Sequence, residues 1–239
     1  MIKAVLFDLD GTIVPMPPDM WTEEMVKVSA GVGIKHGYEP RFFVGVVKQG
    51  VDAFDLNKTD KVGIEFFKEI FKQNGINIHD KIYDSYEEAY NSAAFYNLKN
   101  KLHPLTADVK SGLEELKKRG LKIVLATNPI QSKSAMVQRL NWIGISEDYF
   151  DLITHYQNST RTKATAEYYL EIINKLGIKP EEALMIGNDV CNDMSARSIG
   201  CSVNLVTDYL INKRNKDISR YPHSTIKGFF ENLEGFVNQ

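Results

Sequence analysis

Five short runs of the chain, Lys3–Phe7, Lys122–Thr127, Phe150–Thr154, Ala183–Gly187 and Ser202–Val206, are apolar with too few polar alternations for a half-exposed sheet. Runs of this length and kind read as parallel strands buried on both faces. Between the later ones, apolar residues recur at helical spacing over Val109–Arg119, Ser132–Trp142, Ala164–Leu176 and Asp193–Ser198. Gly120, Gly144, Gly177 and Gly200 stand where those helices should stop. The alternation predicts an α/β fold: a doubly wound, Rossmann-like parallel sheet whose ligands bind beyond the carboxyl ends of the strands.

The rhythm breaks after the first strand. From Pro15 to His103 the chain carries no strand pattern and reads as helices in "MWTEEMVKVSAGVGIKHG", "GIEFFKEIFKQNG" and "DSYEEAYNSAAFYNL". The flanks "VPMPPD" and "KLHPLT" bear prolines and suit hinges. The expected organisation is therefore a core of residues 1–14 and 104–239 and an inserted helical cap of residues 15–103. Phe42, Phe43, Phe54, Phe66, Phe67 and Phe71 are expected to pack between the inserted helices rather than to form a binding box.

Composition narrows the function classes. A net charge of −2 over 239 residues offers no general attraction to nucleic acid or to an anionic membrane. The basic stretch "INKRNKDISR" is interleaved with an acid and polar residues and reads as a solvated surface. The amino-terminal apolar run is too short and too soon acidic for a signal peptide, and no stretch has the length of a membrane span. A cytoplasmic location is expected. Cys191 and Cys201 have neither framework nor metal-ligand spacing, so free thiols are expected.

Candidate chemistry collects at the strand ends. Asp8 and Asp10 follow the first strand one residue apart, and in extended chain they point to one side. Two carboxylates that close repel, so something positive is expected between them. Gly11 permits a sharp exit and Thr12 adds a hydroxyl and an amide. Thr127 and Asn128 end the second strand as donors for a phosphoryl oxygen, and Pro129 suits the first turn of a helix. Lys163 is placed at a helix start, where the dipole disfavours a cation, with Arg161 as a competitor for its role. Gly187, Asn188, Asp189, Asn192 and Asp193 close another strand with acidic and amide groups.

These four stretches, in this order, resemble the motifs of the haloacid dehalogenase superfamily, whose members are mostly phosphatases. D-x-D-G-T is Asp8 to Thr12, the strand-ending Thr is Thr127, the lysine is Lys163, and the acidic loop is Gly187 to Asp193. There are two departures: the lysine is followed by "ATAEYY" rather than a proline-bearing tail, and many relatives put an acid directly after the glycine, where this chain has Asn188. Either Asn188 takes that position or Asp189 does.

The resemblance implies a mobile cap over the site and a Mg²⁺-dependent phosphatase acting on a small phosphorylated metabolite through an aspartyl-phosphate intermediate. It makes Asp8 the nucleophile, Asp10 the general acid and base, and Lys163, Gly11, Thr12, Thr127 and Asn128 the groups that hold the phosphoryl oxygens. It also assigns Mg²⁺ to Asp8, the backbone carbonyl of Asp10 and Asp189, with Asn188 as the alternative ligand and Asp193 behind them, holding Lys163 or a metal-bound water. Asp189 is favoured because Asp189 to Asp193 reproduces the D-x-x-N-D spacing of many relatives and a hard dication gains more from a carboxylate than from an amide. A dehalogenase would not need Asp10, since a halide leaves without a proton. A phosphomutase would keep it, and a binding protein could keep the fold without turnover.

Overall fold

The computed structural model describes residues 1–237. Six strands form one parallel sheet: β1 (Ala4–Phe7), β2 (Lys122–Leu125), β3 (Leu152–Ile153), β4 (Ala183–Gly187), β5 (Ser202–Val206) and β6 (His223–Ser224), in the order β3-β2-β1-β4-β5-β6. All five expected strands form. The short edge strand β6 has no apolar run to announce it. Register decides where the site lies: Phe7 pairs with Leu125 on one side and Ile186 on the other, so β1, β2 and β4 end level. The residues after all three strands must then share one rim, beyond the carboxyl ends, where the strand order reverses.

Each strand sends alternate side chains to opposite faces, and both faces are covered. Val5, Phe7, Ile123, Leu125 and Ile186 pack on one side with α6 (Val109–Lys118), α7 (Lys133–Trp142), α9 (Ile226–Glu231) and α10 (Leu233–Val237). Ala4, Leu6, Val124, Ala183, Met185 and Leu205 pack on the other with Tyr168, Tyr169, Ile172 and Ile173 of α8 (Glu167–Leu176). Gly177 ends α8 in the left-handed conformation at φ 66, as its expected role in stopping the helix requires. The helix expected from Ala164 starts later, at Glu167, so Lys163 lies in the turn before it. The stretch Asp193–Ile199 winds as 3-10 rather than α.

Between β1 and α6 lie α1 (Pro18–Lys35), α2 (Pro40–Asp55), α3 (Gly63–Gln73), α4 (His79–Tyr90) and α5 (Ala93–Tyr96). The patterning had not marked α2. Its apolar side, with Phe43 and Val46, packs on Val32, Phe71, Ile76 and Ile82 to make a small core within the insertion. Phe42 points out of that core and is 43% exposed, contrary to the expected packing role. The two connecting segments run side by side, with the His103 amide donating to the Pro15 carbonyl at 3.1 Å. The loop after α2 is tied to the segment leading to Lys163. Asn57 Nδ2 donates to the Thr160 carbonyl (2.7 Å), Arg161 Nη1 to the Thr59 carbonyl (2.6 Å) and Thr162 Oγ1 to Asp55 Oδ1 (2.5 Å). Among the described residues no helix is long and apolar enough to cross a membrane, and both cysteines are free.

Candidate active site

Asp8 leaves β1 with its amide donating to the Ile186 carbonyl at 2.9 Å, so sheet pairing fixes its backbone one residue past the strand. Its side chain is buried. Lys163 Nζ sits 2.5 Å from Asp8 Oδ1 and 2.7 Å from Asp193 Oδ1, and Thr12 Oγ1 donates to Asp8 Oδ2 at 3.2 Å. The lysine thus bridges the ends of β1 and β4. Burial pulls its pKa down, but the Asp193 and Asp8 carboxylates outweigh that and hold it well above the ordinary lysine range. The competitor Arg161 turns away to the Thr59 carbonyl. Burial and the Asp8 charge push Asp193 upward against the pull of Lys163.

The loops around this pair are shaped by two glycines. Gly11 has φ 79, and a Cβ there would lie 2.3 Å from Asn188 Nδ2. At Gly187 a Cβ would lie 2.2 Å from Asp193 Oδ2, so only glycine lets Asp193 fold back under the strand end, where it accepts from the Asp189 amide at 2.9 Å. The Gly11 and Thr12 amides, expected to meet a phosphoryl group, donate within their own loop to the Val14 and Leu9 carbonyls (2.9 and 3.3 Å). The Thr12 hydroxyl stays at the site. Asn128 Oδ1 accepts from the Lys163 amide (3.2 Å), and the Tyr168 hydroxyl holds the Thr127 carbonyl (2.8 Å). Thr127, Asn128 and Lys163 therefore face one cavity with Asp8 and Asp10, about 200 Å³ in volume.

Asn188 and Asp189, the two alternative metal ligands, are engaged differently. The Asp189 carboxylate caps its own loop: Oδ1 accepts from the Cys191 and Asn192 amides (2.7 and 3.0 Å) and Oδ2 from Asn192 Nδ2 (3.0 Å). Asn188 is buried beside Gly11. Its Nδ2 donates to the Tyr209 carbonyl (2.6 Å), which turns Oδ1 toward Thr12 Oγ1, 3.4 Å away and on the side of Asp8 Oδ2.

Asp10 has a partner that the sequence did not reveal. Arg139, in the last turn of α7, is 1% exposed, with Nε 3.3 Å from Asp10 Oδ1, Nη1 donating to Gln131 Oε1 at 3.1 Å, and Cζ 3.6 Å over the Trp21 ring of α1. A basic residue at a helix end normally completes the dipole at the surface; here Trp21 of α1 and the loop after β1 that carries Asp10 lie against it. The Arg139–Asp10 geometry makes no hydrogen bond, so Asp10 Oδ1 is buried with none among the described residues. Burial raises the Asp10 pKa to about 6, with Asp8 adding to the rise and Arg139 and Lys163 opposing it.

The donor set suits a hard cation. Asp8, Asp10, Asp189 and Asp193 line the cavity against two cations, Lys163 and Arg139, an excess of negative charge. Among the described residues no three His, Cys, Asp or Glu side chains form a ready-made metal cage. Mg²⁺ asks for less, since it binds through one or two carboxylates and fills its shell with waters and substrate oxygens.

A profile of the haloacid dehalogenase-like hydrolases matches residues 2–200. The chain is 28% identical over 208 residues to a putative pyrophosphatase PpaX of Clostridium perfringens, covering 84% of this chain and 81% of that protein. Solved structures that share the fold include the following two. One is a phosphatase of this superfamily from Thermococcus onnurineus (TM-score 0.56, 20% identity, 98% of this chain and 99% of that one). The other is a β-phosphoglucomutase from Clostridium difficile (TM-score 0.57, 18% identity, 100% of this chain and 98% of that one).

Proposed function

The chain belongs to the haloacid dehalogenase-like hydrolases, and on that premise we propose that it is a Mg²⁺-dependent phosphatase of a small phosphorylated metabolite, working through a phosphorylated Asp8. What supports the reading most is the contrast between the two carboxylates after β1. Asp8 is ion-paired to Lys163 at 2.5 Å, whereas Asp10 is raised to about 6 and so is easily protonated near neutral pH.

In the first step an Asp8 carboxylate oxygen attacks phosphorus, and the bond from phosphorus to the leaving oxygen breaks as Asp10 gives that oxygen its proton. In the second, water attacks phosphorus, Asp10 takes a proton from it, and the Asp8–phosphorus bond breaks to release inorganic phosphate. Lys163, Thr127 and the Asn128 amide hold the phosphoryl oxygens, where negative charge spreads in the transition state. A bound Mg²⁺ supplies screening between Asp8 and the anionic substrate. Asp8 and the Asp10 carbonyl would hold it with Asn188, because the Asp189 oxygens are committed to their loop.

The helices of residues 15–103 act as a cap that closes on the core at 1–14 and 104–239. Support comes from their own small core and from the paired connecting segments at Pro15 and His103. The relatives named pyrophosphatase put pyrophosphate among the substrates to try, and the mutase fold neighbour keeps phosphoryl transfer between two sugar positions as the second reading. Mg²⁺-dependent phosphate release from p-nitrophenyl phosphate, lost in Asp8→Asn, is the expected result. No release at any Mg²⁺ concentration, from p-nitrophenyl phosphate or from any of a panel of small phosphomonoesters, overturns the phosphatase reading, and a product that keeps its phosphate indicates a mutase.

A further inference from the structure

Ile130 and Gln131, on the loop from β2 to α7, line two cavities at once. One holds Asp8, Asp10 and Lys163. The other, about 50 Å³, lies where the insertion meets the core, walled by Phe67 and Phe71 of α3, Tyr83, Tyr86 and Tyr90 of α4, and Tyr156 beyond β3. The rings brace one another, with centroids 6.0 Å apart for Phe67 and Tyr156, 6.2 Å for Tyr83 and Tyr156, and 6.3 Å for Phe71 and Tyr83.

Two features of this inner chamber describe an occupant. No Asp, Glu, Lys, Arg or His is among the described residues that line it. Charges lie only around it: Glu87 acts on Tyr156 and Asp80 on Tyr83, Lys68 Nζ stands 5.9 Å from the Tyr83 ring centre, and Arg139, engaged with Asp10 and Gln131, acts on Tyr90. An anion entering the chamber would lose its water and meet no cation on the wall. Yet the wall is not inert. Tyr86 is satisfied by Ser29 Oγ at 2.9 Å, but the Tyr83 hydroxyl and Gln131 Nε2 are buried with no hydrogen-bond partner among the described residues. Unpaired buried donors in an otherwise apolar cavity call for acceptor oxygens on a ligand.

We propose that the inner chamber receives the leaving group of the substrate, and that this group is a compact uncharged alcohol of a few carbons carrying a hydroxyl or carbonyl oxygen. The inference rests on the phosphatase reading and narrows it: the phosphoryl group stays with Asp8 and Lys163 while the alcohol passes Gln131 into the tyrosine-lined space. The reaction is hydrolysis of a phosphomonoester, in which the leaving oxygen takes the Asp10 proton and departs as a neutral alcohol. The volume sets what enters: at about a third of the ~150 Å³ of a cavity that takes benzene, the chamber holds the far end of the alcohol, about two non-hydrogen atoms, while the rest stays beside Gln131 in the outer cavity. Pyrophosphate, whose leaving group is itself an anion, is a poor match.

The test compares three probes of similar size with the Mg²⁺-loaded full chain: glycerol 3-phosphate, 3-phosphoglycerate and pyrophosphate. Glycerol 3-phosphate is expected to have the highest kcat/KM, by about tenfold or more over the two with anionic leaving groups. Tyr83→Phe, which removes only the unpaired hydroxyl, and Val47→Phe, which fills the chamber, should each shrink that preference severalfold. If 3-phosphoglycerate or pyrophosphate is turned over as well as glycerol 3-phosphate, or if neither variant changes the ratio, the assignment is overturned while the phosphatase reading stands. Failure to release phosphate from any probe or from p-nitrophenyl phosphate would sink the phosphatase reading itself.

Discussion

Replacing Lys163 by methionine should destabilise the metal-free protein at neutral pH and leave it far less destabilised in mild acid. The lysine is 4% exposed and lies 2.5 and 2.7 Å from two carboxylates that are themselves buried. At an effective dielectric constant of about 20, each contact is worth roughly 6 kcal/mol of attraction, most of which only offsets the cost of burying the charges. Removing one partner and leaving the others costs about 3–5 kcal/mol. With a urea m-value of about 3 kcal/mol/M, the unfolding midpoint falls by roughly 1–1.7 M.

The pH dependence has a definite sign. Asp193 already has its folded pKa raised above the unfolded value of 3.8, to about 7. Between those values the folded state binds the extra proton, so this group adds stability as pH falls from about 7 toward 4 and removes it as pH rises. Without Lys163, the upward push of burial and of Asp8 acts unopposed, and the effect grows. Urea unfolding of the parent and Lys163→Met in EDTA, at pH 5 and pH 7.5, reads it directly. Equal midpoints for the two proteins at pH 7.5, or a deficit in Lys163→Met that is the same at both pH values, would refute the reasoning.

Asp8→Asn should give folded protein with no measurable phosphate release, because an amide is not a competent nucleophile; circular dichroism and a phosphate assay check both halves. Asp10→Asn should slow phosphorylation and dephosphorylation alike by about a hundredfold or more. Because Asp10 must be protonated to release the alcohol, the parent's kcat/KM should fall as pH rises past about 6, a limb that Asp10→Asn should flatten. For the metal, Asn188→Ala should raise the Mg²⁺ concentration needed for half-maximal activity severalfold, with Asp189→Asn milder; the reverse order in a Mg²⁺ titration restores Asp189 as the ligand. Asn57→Ala removes the ties to the Thr160 and Lys61 carbonyls and to Thr59 and should lower kcat severalfold by loosening the segment that places Lys163, with urea stability falling by about 1–3 kcal/mol; an unchanged kcat would separate that loop from the site.

Much of the architecture was legible because it is local. A run such as Ala4–Phe7, buried on both faces, needs continuous apolar residues, and a helix ending in a left-handed residue selects glycine, as at Gly120, Gly144, Gly177 and Gly200. The closeness of Asp8 and Asp10 is likewise written in their spacing. The relations between distant segments are not. Lys163 and Asp8 are 155 residues apart, and the lysine, in the turn before α8, meets Asp8 and Asp193 where β1 and β4 end in register. The choice between Asn188 and Asp189 turns on which side chain the loop itself consumes, and one residue of register in the sequence cannot show that. Arg139 looks like any basic residue at a helix end until Trp21, from a segment more than a hundred residues earlier, stacks over it. Phe67, Phe71 and Tyr83 carry the same helical periodicity whether they fill a core or wall a cavity. Periodicity reports which face of a helix is buried, and only the packing of α3 against α4 and Tyr156 decides whether that face meets another side chain or an empty space.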